Sequence, residues 1–261
     1  MFGNTPPVIG MLHLAALPGA PRASGDLRLV VEAALRDADA LVAGGAAGLM
    51  LENFGDLPFF PGPVPPWTIA AMTAVAVAVR SRFAVPLGIN VLRNDGVGAL
   101  SVAHAAGAQF IRVNVLTGAR LTDQGIINGI AHDLLRERAR LGAESIAIWA
   151  DVDVKHSAAL APRTLADETA DVIRRALADT VIVSGYGTGA AALAADVATV
   201  KKAAGSAPVV VGSGISADTV SAYAAHADGF IVGTSLKEDG RVDRPVDRAR
   251  VAQLVAAIAR R

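Results

Sequence analysis

The chain has 261 residues, of which 52% are hydrophobic and 18% charged, enough apolar material for a sizeable core in one or two domains. Its 24 basic and 24 acidic residues balance, which leaves no electrostatic basis for binding nucleic acid or an anionic membrane surface. It has no cysteine, so disulfides, thiolate metal sites and cysteine nucleophiles are excluded.

The N-terminal stretch MFGNTPPVIGMLHLAALPGA lacks the basic region of a signal peptide. The most apolar internal stretch, residues 67–79, is too short to span a bilayer and runs into Arg80 and Arg82. A cytoplasmic protein without a transmembrane segment is expected. Peripheral membrane association and a homo-oligomer stay open.

Along the chain, short runs rich in Val and Ile recur as candidate strands. They are VIGMLHL (8–14), GLMLE (48–52), VPLGIN (85–90), FIRVNV (110–115), IAIWADV (146–152), TVIVS (180–184), PVVVG (208–212) and GFIVG (229–233). Several are continuously apolar, as strands covered on both faces are. Helical stripes fill the gaps, for example Ile126, Ile127, Ile130, Ala131, Leu134 and Leu135, then Val172, Ile173, Ala176 and Leu177, and finally Val251, Leu254, Val255 and Ile258. Eight strand–helix units without a composition break predict a single α/β domain over 1–261, a (β/α)8 TIM barrel. A doubly wound open sheet is the alternative, but the glycine fingerprint expected after its first strand is missing.

A barrel places function where its strands end. The first strand ends on His13, the second on Glu52 and Asn53. The third gives Asn90, Arg93, Asn94 and Asp95, and the fourth Arg112 and Asn114. Asp151, Asp153, Lys155 and His156 follow the fifth. Ser184, Gly185 and Gly187 follow the sixth, Gly212, Ser213 and Gly214 the seventh, and Gly233, Thr234 and Ser235 the eighth.

The glycine turns SGYGTG (184–189), VGSGIS (211–216) and VGTSLK (232–237) suit a phosphate cup, because bare backbone N–H groups at a helix start can reach an anion. The bland reading is three tight turns needing positive φ. If the extended conformation persists, Asp151, Asp153 and Lys155 share one side. The carboxylates would then keep Lys155 protonated for an electrostatic role, although a Schiff base or acid–base work suits a lysine there as well. The bland reading is a rim salt bridge, with His156 capping the next segment. His13 and Glu52, with Asp151, could hold a divalent metal or share proton transfer. Asn90, Arg93, Asn94, Arg112, Asn114 and Ser184 are candidate substrate-binding groups, and Arg112 could instead neutralise Glu52. His104, His132 and His226 read as surface or packing residues of helical segments. Residues 54–67, FGDLPFFPGPVPPW, read as a lid over the mouth or a partner-binding patch.

The blocks GMLHLAALPGAP, LENFGDLPF, GINVLRND, IRVN, ADVDVKH, VSGYGTG, VVGSGI and ADGFIVGTSLKEDGRVDRPVDRARV, in order over nearly the whole chain, resemble the BtpA family, which also includes SgcQ-type proteins. The resemblance implies a TIM-barrel fold. It also implies two classes of function: photosystem I biogenesis, from the family name, and sugar metabolism, from the SgcQ-type members. It assigns no catalytic role to any residue. Two readings follow: an enzyme of the lyase, isomerase or epimerase type acting on a small phosphorylated sugar or related metabolite, or a non-catalytic assembly factor for a membrane complex.

Overall fold

A computed structural model describes residues 5–185, 187 and 191–260. Eight parallel strands close into a barrel: β1 (Val8–His13), β2 (Gly48–Glu52), β3 (Leu87–Asn90), β4 (Phe110–Val113), β7 (Ala147–Val152), β9 (Thr180–Val183), β10 (Val209–Gly212) and β11 (Gly229–Val232). Strand β11 pairs back onto β1, with Ile9 opposite Ile231. This is the TIM barrel expected from the eight apolar runs.

Period-two alternation divides each strand between two cores. Val8, Leu12, Leu49, Leu51, Leu87, Ile89, Ile111 and Val113 pack outward against the helices. The inward set of Ile9, Met11, Met50, Phe110, Trp149, Ile182, Val210 and Ile231 fills the barrel. Phe110 and Trp149 stack there with ring centroids 4.1 Å apart. Gly88 of β3 makes this possible, since a Cβ on it would come within 2.1 Å of the Phe110 ring.

The outer layer is α1 (Leu27–Ala43), α2 (Pro66–Arg82), α3 (Gly96–Ala106), α4 (Ala131–Arg140), α5 (Leu165–Arg174), α6 (Ala194–Ala204) and α7 (Arg248–Ala259). Local chemistry starts several of them: Asp26 and Asp95 accept backbone N–H bonds from Arg28 and Gly98, and Pro stands in the first turn of α2.

Three expectations fail. Ile126 and Ile127 belong to no helix. They lie in β6 (Gly125–Asn128), which pairs with β5 (Ala119–Thr122), and β5 pairs with β8 (Ser157–Ala159) in a small antiparallel sheet at the mouth. Gly125, at φ +97°, supplies the turn between β5 and β6, and the helix begins only at Ala131. Second, the eighth α-helix is missing among the described residues. After β10 there is only a 3-10 turn, Val220–Tyr223, and His226 follows it outside any helix. Third, Trp67 belongs to α2 rather than to the loop before it.

Candidate active site

The inward alternation that fills the barrel with apolar side chains turns polar at its C-terminal end. His13 pairs with Glu52 in the strand register, Glu52 with Asn90 and Asn90 with Arg112. Four neighbouring strands thus set four polar residues side by side above the hydrophobic plug.

Asp151 anchors this ring. Its carboxylate is fully buried and takes two bonds from Arg112, at 2.9 and 2.8 Å, one from Asn114 at 2.8 Å and one from Ser184 at 3.2 Å. Burial works against the Arg112 charge, but the contact with Asp151 raises its pKa above the ordinary guanidinium value. Arg112 therefore neutralises Asp151 by direct pairing.

Glu52 accepts from Asn90 Nδ2 at 2.6 Å and lies 3.9 Å from His13 Nε2. Gly233 leaves room for the imidazole, since a Cβ there would come within 2.6 Å of His13 Cε1. Phe54 covers the ring, with centroids 4.6 Å apart. His13 Nδ1 is buried and has no hydrogen-bond partner among the described residues. The His13 pKa is lowered to about 4, first by burial; Glu52 opposes this, and Lys237 and Lys155 add to it.

This shift has a consequence for stability. The folded-state value lies below the unfolded one near 6.5, so the unfolded chain binds a proton first as pH falls. His13 therefore contributes stability in full above about pH 6.5, and that contribution is lost as pH falls to about 4. At about 1.4 kcal/mol per unit the loss is roughly 3 kcal/mol. His13→Asn is expected to flatten this part of the stability–pH curve measured by urea unfolding. Parallel curves for the two proteins would refute it.

Lys155 lines two cavities at once. Its ammonium has no hydrogen-bonded or ion-pair partner among the described residues, and Arg93 Nη2 binds its backbone carbonyl at 2.5 Å. Its pKa is lowered, first by burial and then by Arg112, while Glu52 and Asp151 pull the other way. The sequence suggested instead that the carboxylates keep this lysine charged. Both carboxylates do pull toward the charged form, but burial and Arg112 outweigh them in the net downward shift, and the carboxylate of Asp151 is taken up by Arg112.

One cavity, of about 310 Å³, runs from Met11, His13, Glu52, Arg112 and Lys155 to the glycine turns. Gly212, Ser213, Gly214, Gly233, Thr234 and Ser235 form its far wall with Arg250. Ser213 and Gly214 both have positive φ, +118° and +65°, so the turn after β10 holds a conformation that ordinary side chains resist. The helix starts expected behind these turns are only 3-10 turns of three or four residues, which removes the helix-dipole part of the phosphate argument. The cavity-lining turns themselves and Arg250 remain. Arg250, from the first turn of α7, escaped the sequence reading because it lies far from any strand end.

The second cavity, of about 370 Å³, is lined by Phe54, Leu57, Phe59, Leu92, Arg93, Asn114, Asp123 and His156, with Glu52, Arg112 and Lys155 shared. The 54–67 segment thus covers the mouth. It is fastened by Leu17 N to Asp56 at 2.7 Å, Val64 N to Asp95 at 2.9 Å and Arg93 N to Phe60 O at 3.0 Å. Phe60 and Trp67 face outward, 51% and 56% exposed.

Other candidates are placed elsewhere. The strand stops at Val152 and Asp153 turns to φ +50°, so it does not share a side with Asp151. Its exposed carboxylate pairs with Arg120 of β5. Asn94 is consumed by the backbone, bonded to both polar groups of Val115 and to Asn128 O. The proposed metal trio also fails: Asp151 is fully engaged, and no group of three His, Asp or Glu among the described residues is placed to hold a metal ion. Gly187 accepts a bond from Ser213 Oγ, but neither it nor Gly185 lines the cavity. Tyr186, Thr188 and Gly189 of the same run lie outside the described residues.

Comparisons with known proteins agree with this architecture. The barrel superposes on N-(5'-phosphoribosyl)anthranilate isomerase from Pyrococcus furiosus with a TM-score of 0.61, covering 97% of this chain and 98% of that one, at 14% identity. That identity supports the shared fold alone. Sequence relatives are nearer. An uncharacterized protein of Thermococcus kodakarensis is 48% identical over 249 residues, spanning 95% of this chain and 94% of its own. The Photosystem I biogenesis protein BtpA of Synechocystis is 44% identical over 258 residues, spanning 99% and 90%. The BtpA family model matches residues 4–260, so the polar ring, both cavities and the covering loop all fall within the matched region, and the chain belongs to the BtpA family.

Proposed function

We propose that the protein is an enzyme that transfers protons on a small phosphorylated carbonyl compound, of the isomerase, epimerase or lyase type. One observation carries the reading: a single cavity is lined both by the glycine and serine turns after β10 and β11 and by His13, Glu52 and Lys155. Arg250 and the turns after β10 and β11 hold the phosphate. This fixes the reacting carbons beside groups able to donate or accept a proton. Arg112, locked on Asp151, presents a fixed positive field to developing negative charge.

Thermal unfolding with inorganic phosphate tests the anchor. A phosphate-dependent rise in Tm is expected for the natural chain and a much smaller one for Arg250→Ala. No rise at concentrated phosphate would remove the anchor and with it the substrate class.

The second reading, an assembly factor for a membrane complex, draws on the name of the Synechocystis relative and on outward-facing Phe60 and Trp67. No helix among the described residues is long and apolar enough to cross a membrane. Assembly work of this kind would use the outer face of the 54–67 segment and leave the polar cavity without a task.

A further inference from the structure

Only four of the 24 basic residues are lysines: Lys155, Lys201, Lys202 and Lys237. Lys237 is buried in an ion pair with Asp37, Lys201 pairs with Asp228, and Lys202 is exposed on α6. The mouth already has fixed positive charge from Arg93 and Arg112. A further charge there would be served by arginine, which this sequence uses freely. An amine differs from a guanidinium in being able to lose its proton and attack a carbonyl.

We propose that Lys155 forms a Schiff base with the carbonyl carbon of a phosphorylated aldehyde or ketone whose phosphate lies in the glycine cavity and whose other end lies in the Phe54–Phe59 chamber. The proposal rests on the phosphate reading for one end of the substrate and on the position of Lys155 for the other. Lys155 lines both cavities, so a molecule reaching from one to the other passes its amine. No carboxylate at bonding distance among the described residues holds that amine as an ion pair. Burial and the Arg112 charge both favour the neutral form that reacts.

The unprotonated Nζ adds to the carbonyl carbon, forming a C–N bond as the C=O electron pair moves to oxygen. The oxygen takes up two protons, one given up by the nitrogen and one supplied by solvent, and leaves as water. The iminium that results accepts the electron pair released when a neighbouring C–H or C–C bond breaks. Glu52, on the same wall, takes the proton in the first case. In the second case the departing fragment becomes a carbonyl compound as its hydroxyl gives its proton to Glu52. Reprotonation of the enamine carbon restores the iminium, and hydrolysis then returns the carbonyl and the free amine. The apolar walls of Phe54, Leu57, Phe59 and Leu92 fit a substrate whose far end is planar or carbon-rich.

The test uses pyridoxal 5'-phosphate, a planar phosphorylated aldehyde, and dihydroxyacetone phosphate as probes, trapped by borohydride and located by peptide mass mapping. Reduced adduct is expected at Lys155 at least about tenfold faster than at Lys202, the exposed control, as for an amine activated by its surroundings. Inorganic phosphate should suppress it, and Lys155→Arg should lose it entirely while unfolding at a similar temperature. Labelling at Lys155 no faster than at Lys202 with either probe overturns the proposal. If phosphate still raises the Tm of both proteins in that case, the phosphate anchor stands and only the amine chemistry falls. If Lys155 is labelled but phosphate neither competes nor raises the Tm, the amine chemistry stands and the anchor falls.

Discussion

Asp151→Ala is expected to destabilise the fold by about 3–5 kcal/mol, a large part of the ~5–15 kcal/mol that a domain has. The carboxylate is fully buried, and its loss leaves Arg112, itself buried, as an uncompensated charge inside the barrel. Asn114 and Ser184 lose their acceptor at the same time. Asp151→Leu combined with Arg112→Met removes both charges and is expected to recover much of the loss, since an apolar pair avoids the desolvation cost. Urea unfolding of the single and double variants measures both numbers. A single variant within ~1 kcal/mol of the natural chain would show that Arg112 finds another partner and that Asp151 is not the anchor of the ring.

Much of this arrangement is legible in the sequence because a strand has an integer period. His13, Glu52, Asn90, Arg112 and Asp151 each end an apolar run, and two-residue alternation sends them inward wherever the run is a barrel strand. That inference needs only the strand count. It stops where the strand stops. Asp153 looked like a neighbour of Asp151 by alternation, but a left-handed turn at residue 153 carries it outward to Arg120. Arg120 sits on a hairpin whose apolar residues, Ile126 and Ile127, also fit a helical stripe when read with Ile130 and Leu134. Gly125 between two extended segments was the available signal for the turn.

Arg250 illustrates a different limit. It reaches the cavity from a helix on the outer layer, and no period relates α7 to the end of β11. Only the packing of the 234–247 segment, pinned by Lys237 to Asp37 and by Val246 N to Asp37 at 3.0 Å, brings it there. The lid segment falls between these cases. Its prolines and aromatics mark an ordered loop after the second strand, but the bonds to Leu17, Asp95 and Arg93 that fasten it come from neighbouring strand ends.

Lys155→Met separates a catalytic lysine from a structural one, and its two readouts are expected to move apart. Turnover on phosphorylated aldehydes and ketones should fall by about 10²–10⁴-fold, the range set by loss of a group that moves protons or forms the covalent intermediate. Stability should stay level or rise. The ammonium pairs with no carboxylate at bonding distance among the described residues, and burial and Arg112 oppose its charge more than Glu52 and Asp151 support it, so the native state gains no ion pair from it. A methionine of similar length keeps the stem packed between the two cavities without the charge. The sign is opposite for a rim salt bridge, where removal lowers the unfolding temperature and leaves turnover unchanged. Lys155→Arg adds a third distinction. It preserves charge, so an electrostatic lysine would retain much of its turnover, whereas an amine nucleophile would retain none. Normal turnover in a folded Lys155→Met protein would rule out both catalytic roles for this lysine and leave the chemistry of the cavity to His13 and Glu52.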